Sequence, residues 1–134
     1  SNCMDCDAVI MAAAVADFAP AEMSSSKVEK SEAMVLNLVK TPDILAEIGA
    51  LKKRPFLVGF AAETGQDTSR ARRKLIEKGA DFIVFNNVAS DLSGFDVDTN
   101  EITIIERDKI TPVPLMTKDA AADVILGRIT ELIT

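Results

Sequence analysis

The sequence has no histidine and only two cysteines. A four-ligand metal site of the zinc kind would therefore need carboxylates or a second subunit. Cys3 and Cys6 form a Cys-x-x-Cys pair, but Cys6 leads straight into an apolar run, and both read as inert rather than as a redox couple or half of a zinc site. Also missing is any apolar run approaching the roughly 18 residues of a membrane span, and no charged segment precedes a shorter one as in a secretory signal. A cytoplasmic location is expected. Positive charge is in deficit, with 15 Lys and Arg against 21 Asp and Glu and a net charge of -6. That balance counts against a surface that tracks nucleic acid, because such surfaces cluster cations to release phosphate counterions. Neither G-x-G-x-x-G nor the P-loop pattern occurs, so a dinucleotide dehydrogenase and a Walker-type ATPase find no support. No internal repeat or low-complexity tract is visible.

What is present suffices for one core: 134 residues, 48% of them hydrophobic, make one domain. Ser1-Asn2 resembles the remnant of a cut expression tag, which leaves 3–134 for the fold. Residues 7–16, DAVIMAAAVA, read as a strand buried on both faces. From Phe18 to Lys30 the chain turns polar, with Pro20 and three consecutive serines, and reads as a candidate mobile loop. Met34 to Val39 resumes extended character. Thr41-Pro42-Asp43 then supplies an N-cap, a proline at the first helical position and an acid in the first turn of a helix from about Pro42 to Leu51. A strand over Phe56–Ala61, a helix capped by Asp67 or Thr68 and closed by Gly79, and a strand over Phe82–Phe85 complete the series. This alternation predicts an α/β fold: a Rossmann-like, three-layer, open and mostly parallel sheet with helices on both faces. Glu101–Glu106 and Lys109–Leu115 add a C-terminal antiparallel strand pair turned at Arg107-Asp108. A last helix starts near Thr117, with Ala121, Val124, Ile125, Ile129 and Leu132 on one face.

In open parallel sheets ligands sit beyond the carboxyl ends of the strands. Four segments follow such ends: Asp17 with its loop to Lys27, Thr41 to Ile44, Phe60 to Gly65, and Asn86-Asn87. Arg70, Lys74 and Lys78 stand four residues apart and share one helix face, as a local phosphate cradle or a solvated surface would. Asp17 is placed to bind a ribose or a metal, or to serve as a turn residue. Lys27, taken alone, is an ordinary surface lysine.

Taken in order, Ala13 to Phe18, Lys27-x-x-Lys30, Thr41-Pro42-Asp43-Ile44, Val58 to Thr64, Phe95-x-x-Asp98-x-Asn100 and Pro114 to Lys118 resemble the bacterial phosphopantothenoylcysteine synthetase family. The resemblance implies a Rossmann-like, homodimeric ligase of coenzyme A biosynthesis that uses CTP and Mg²⁺. CTP would activate the carboxylate of 4'-phosphopantothenate as an acyl-cytidylate, and the amine of L-cysteine would displace CMP. It implies that CTP is held by Asp17, Lys27, Pro42, Asp43, Ile44, Phe60, Lys74 and Lys78, with Lys27 catalytic and Asp17 near Mg²⁺. Residues 3–134 would be the C-terminal part of that ligase domain, inactive alone. FMN is expected only in a fused phosphopantothenoylcysteine decarboxylase domain outside this chain. Glu29, where the family has a lysine, and Asn87, where it often has Asp, depart from the pattern. The competing readings are a non-catalytic dimerisation module built on Met34–Val39 and Glu101–Leu115, or another Rossmann-like nucleotide-binding protein.

Overall fold

A computed structural model of the chain describes residues 5–27, 33–65, 67–88 and 98–134. Cys3, Glu29, Lys30, Phe95 and the Ser1-Asn2 pair lie outside them. Five strands form one mixed sheet in the order β1 (Ala8–Met11), β4 (Phe56–Glu63), β5 (Phe82–Asn87), β6 (Thr99–Glu106), β7 (Ile110–Thr117). Two further strands, β2 (Phe18–Pro20) and β3 (Leu38–Lys40), pair antiparallel in a sheet of their own. The first two pairings of the large sheet are parallel and the last two antiparallel, so the expected C-terminal pair continues the sheet.

Alternation along the central strands divides the core into two layers. Leu57, Ala61, Ile83 and Phe85 face α1 (Ile44–Gly49) and α2 (Ser69–Lys78), which contribute Leu45, Ile48, Ala71 and Leu75. Val58, Phe82, Val84, Ile102, Ile104 and Val113 face α3 (Lys118–Ile133), which contributes Ala121, Ile125 and Ile129. Helices thus cover both faces of the sheet in three layers. Val124 and Leu132, expected on the buried stripe of α3, are 37% and 42% exposed; the contact with the sheet is narrower than the apolar face.

Several local expectations change. The apolar run from Asp7 to Ala16 yields only a four-residue edge strand, half-buried, and Ala12 to Ala16 are exposed. Phe18–Pro20 is a strand and not loop, paired so that Phe18 lies opposite Lys40. The first helix is six residues long and is capped by Asp43, whose Oδ1 accepts the Ala46 N–H at 3.0 Å. Thr41 is therefore not the cap: its hydroxyl donates to the Ala16 carbonyl at 2.5 Å and its N–H to the Asp17 carbonyl at 2.9 Å. Gly79 ends α2 as expected, in the left-handed conformation at φ 61°. Gly49 permits the two shorter helices to meet, since a Cβ there would stand 1.9 Å from the Lys78 carbonyl oxygen.

Candidate functional site

The two backbone-directed bonds of Thr41 tie the chain after β1 to the start of α1. A crevice opens there, beyond the carboxyl end of β1, where an open α/β sheet places its ligand. Asp17, Thr41, Pro42, Asp43, Ile44, Phe60, Lys74 and Lys78 line it, with Met11, Lys40 and Leu45 among the others. Seven of the eight residues singled out from the sequence converge on it; Lys27 does not line it and stands exposed. Of the four strand-end segments, Phe60 to Gly65 contributes Phe60 alone. Asn87, at the end of β5, instead accepts the Gly65 N–H on Oδ1 at 3.3 Å.

Helix α2 aims its cations differently from one turn to the next. Arg70 turns to Glu63 at 3.6 Å. Lys74 reaches back to the sheet and donates to the Phe60 carbonyl at 2.7 Å. Lys78 donates to Oδ2 of Asp43. That bond, then the Ala46 N–H, holds the Asp43 carboxyl below its ordinary value against the opposing effect of burial. Each ammonium carries three protons and spends one on these partners, so both keep donors for a ligand. Lys40, exposed at the end of β3, is a third cation on the same wall. Sequence reading missed it because it became a crevice residue only through the pairing of β3 with β2, which sets it opposite Phe18, next to Asp17.

Asp17, where Mg²⁺ is expected, is one of two carboxylates that line the crevice. Among the described residues no group of three or more acidic or cysteine side chains is placed to hold a metal ion. The other carboxylate of the crevice, Asp43, is committed to Lys78 and to its own helix.

Among similar proteins, a cysteine/cysteine sulfinic acid decarboxylase from an unidentified prokaryote is 46% identical over 125 residues, covering 90% of this chain and 35% of its own length. The coenzyme A biosynthesis bifunctional protein CoaBC of Bacillus subtilis is 44% identical over 128 residues, 94% of this chain and 32% of that protein. The chain thus spans about a third of the length of these curated relatives. The crystal structure of the C-terminal domain of a CoaBC protein superposes with a TM-score of 0.74 at 34% identity, over 97% of this chain and 56% of that one. A DNA/pantothenate metabolism flavoprotein from Streptococcus pneumoniae shares the fold, with a TM-score of 0.77 at 24% identity, over 96% of this chain and 65% of that one.

These descriptions name a decarboxylase, a bifunctional coenzyme A biosynthesis protein and a flavoprotein; none names a ligase or CTP. The expectation of a CTP-dependent phosphopantothenate-cysteine ligase is corrected on that ground, together with CTP and Mg²⁺ as its cofactors and phosphopantothenate, cysteine and CTP as its partners. Coenzyme A biosynthesis is named for the CoaBC relatives. The two competing readings gain nothing from the same comparisons. The match extends over residues 1–133 to the model described as DNA/pantothenate metabolism flavoprotein C-terminal domain, and this chain belongs to that family.

Proposed function

We propose that this chain is the phosphate-holding domain of a flavin-dependent, decarboxylating protein of coenzyme A biosynthesis, working in the cytoplasm on 4'-phosphopantothenoylcysteine. The observation that carries the reading is the convergence of Lys40, Lys74 and Lys78 on one crevice in a chain whose net charge is -6. A phosphate offers each ammonium a charge-assisted acceptor, roughly twice as strong as a neutral one. Local cations must supply the attraction, since the field of an acidic protein opposes it. Asp17, Pro42, Ile44 and Phe60 would shape the wall around the bound group.

A flavin does not fit the same crevice. Phe60 is the one aromatic residue that lines it, a small platform for an isoalloxazine ring. The chain has no Trp or Tyr to stack on an isoalloxazine ring. No flavin chemistry is assigned to these residues. Among the described residues no helix is long and apolar enough to cross a membrane.

Calorimetric titration of the chain with 4'-phosphopantothenoylcysteine and with its dephosphorylated form tests the reading. The phosphorylated compound should bind at least tenfold more tightly, about 1.4 kcal/mol, and Lys74→Ala should remove most of that advantage. Equal binding of the two forms would refute a phosphate site. Saturation by CTP with no binding of either compound would refute the proposed ligand and return the crevice to a nucleotide.

A further inference from the structure

Lys78 has an occupant already. Its ammonium meets Oδ2 of Asp43, with the two side chains 27% and 36% exposed, so the pair can be reached from the crevice that both residues line. Two features mark the pair as exchangeable. The helix cap does not depend on it, because Asp43 uses its other oxygen, Oδ1, to accept the Ala46 N–H. A second cation is also at hand, since the charge of Lys40 is felt at the same carboxylate and Lys40 lines the same crevice.

An anion that enters among these lysines meets Asp43 as a competitor of its own sign, in contact with a cation the anion needs. Resting on the reading of the crevice as a phosphate site, we infer that Asp43 is a specificity-determining residue: an internal substitute for the ligand anion that yields Lys78 when phosphate binds, after which Lys40 becomes its partner. The physical consequence is selectivity by charge. A dianionic phosphate attracts Lys78 more strongly than a single carboxylate does and displaces Asp43; a monoanion merely matches it and gains little. An empty crevice would then reject the many small carboxylates around it.

Asp43→Asn isolates the competition, because asparagine caps a helix as well as aspartate does while the charge is gone. Calorimetry with inorganic phosphate, and with acetate as the monoanion, gives the readout, and circular dichroism checks the fold. The variant should bind phosphate about two- to fivefold more tightly than the unaltered chain, the range of a partly exposed ion pair. Its preference for phosphate over acetate should shrink. Lys40→Ala should weaken phosphate binding, and less so in the Asp43→Asn background. Asp17→Asn removes an equal charge from the crevice and leaves the pair intact; an equal gain there would show a general field effect and overturn the inference. So would unchanged or weaker binding by Asp43→Asn. If phosphate binding still depends on Lys74 in that case, the phosphate crevice survives and only the competition fails. Binding that ignores Lys74→Ala overturns the crevice itself, and no binding by either the unaltered chain or Asp43→Asn overturns both.

Discussion

The two ends of the parallel strands both carry cations, and they use them in opposite ways. At the amino-terminal edge two arginines are closed on carboxylates. Arg54 meets both oxygens of Asp81 at 2.5 and 3.0 Å, and Asp81 also accepts the Leu57 N–H at 2.7 Å. Arg128 meets both oxygens of Glu106 at 2.8 and 3.1 Å and Glu131 at 2.7 Å. Toward the carboxyl end the two crevice lysines of α2 have one partner each: a neutral carbonyl for Lys74 and Asp43 for Lys78. A guanidinium fork matches a carboxylate plane and leaves little to offer a ligand; an ammonium is a point charge that can change partners. The two arginine forks thus fasten one edge of the strands, while the crevice lysines at the other stay able to bind.

The sharpest way to break that contrast is to remove a carboxylate from the fastened edge. Asp81→Ala would leave Arg54 uncompensated at 25% side-chain exposure and the Leu57 N–H without its acceptor. Fully buried pairs cost about 3–5 kcal/mol when broken this way, and partial exposure lowers the expectation to about 2–3 kcal/mol. Urea titration should show it as a lower midpoint, whereas Lys74→Ala in the same titration should stay within about 0.5 kcal/mol. Equal losses would erase the division between the two edges. Arg54→Lys is a milder version: the charge stays but the bidentate geometry goes, and about 1 kcal/mol should follow. A fully stable lysine variant would show that charge, and not the fork, secures this edge.

Much of this architecture was legible because it rests on local patterns. The cap residue Gly79, the turn at Arg107-Asp108 and the start of α3 at Thr117, whose hydroxyl accepts the Ala120 N–H, are written in short stretches of sequence. The crevice was legible in part, since Asp17 and Asp43 flank strand ends and Lys74 and Lys78 share one helix face by their spacing. What failed depended on contacts distant in sequence. The alanine run after Met11 is apolar yet small, so it gains little by burial and lines the crevice instead of extending β1. Lys40 entered the site through pairing with a three-residue strand containing a proline, too short for any period to reveal. Lys78 and Asp43, each picked out as a ligand contact, proved to be each other's partner, which no spacing rule joins across 35 positions.

The smallest expected effect tests whether that pair is formed at all in the absence of ligand. The Asp43 carboxyl lies below its ordinary value of 3.8, chiefly through the hydrogen bond from Lys78 and next through the Ala46 N–H. A depressed value in the folded state means that the unfolded chain takes up a proton first as pH falls. The contribution of Asp43 to stability is therefore complete above the unfolded value of about 3.9 and is lost as pH drops through the lower folded value. Asparagine at this position keeps the cap and cannot titrate. The difference in Tm between the unaltered chain and Asp43→Asn should then be flat from neutral pH to about pH 4 and shrink below it. Asp67, held low in the same direction by the Ser69 N–H, is present in both proteins and cancels from the comparison. A difference that stayed constant well below pH 4 would mean that Asp43 has no favoured charged form in the folded state. Lys78 would then stand open to solvent, and the carboxyl edge would hold free cations in place of a guarded one.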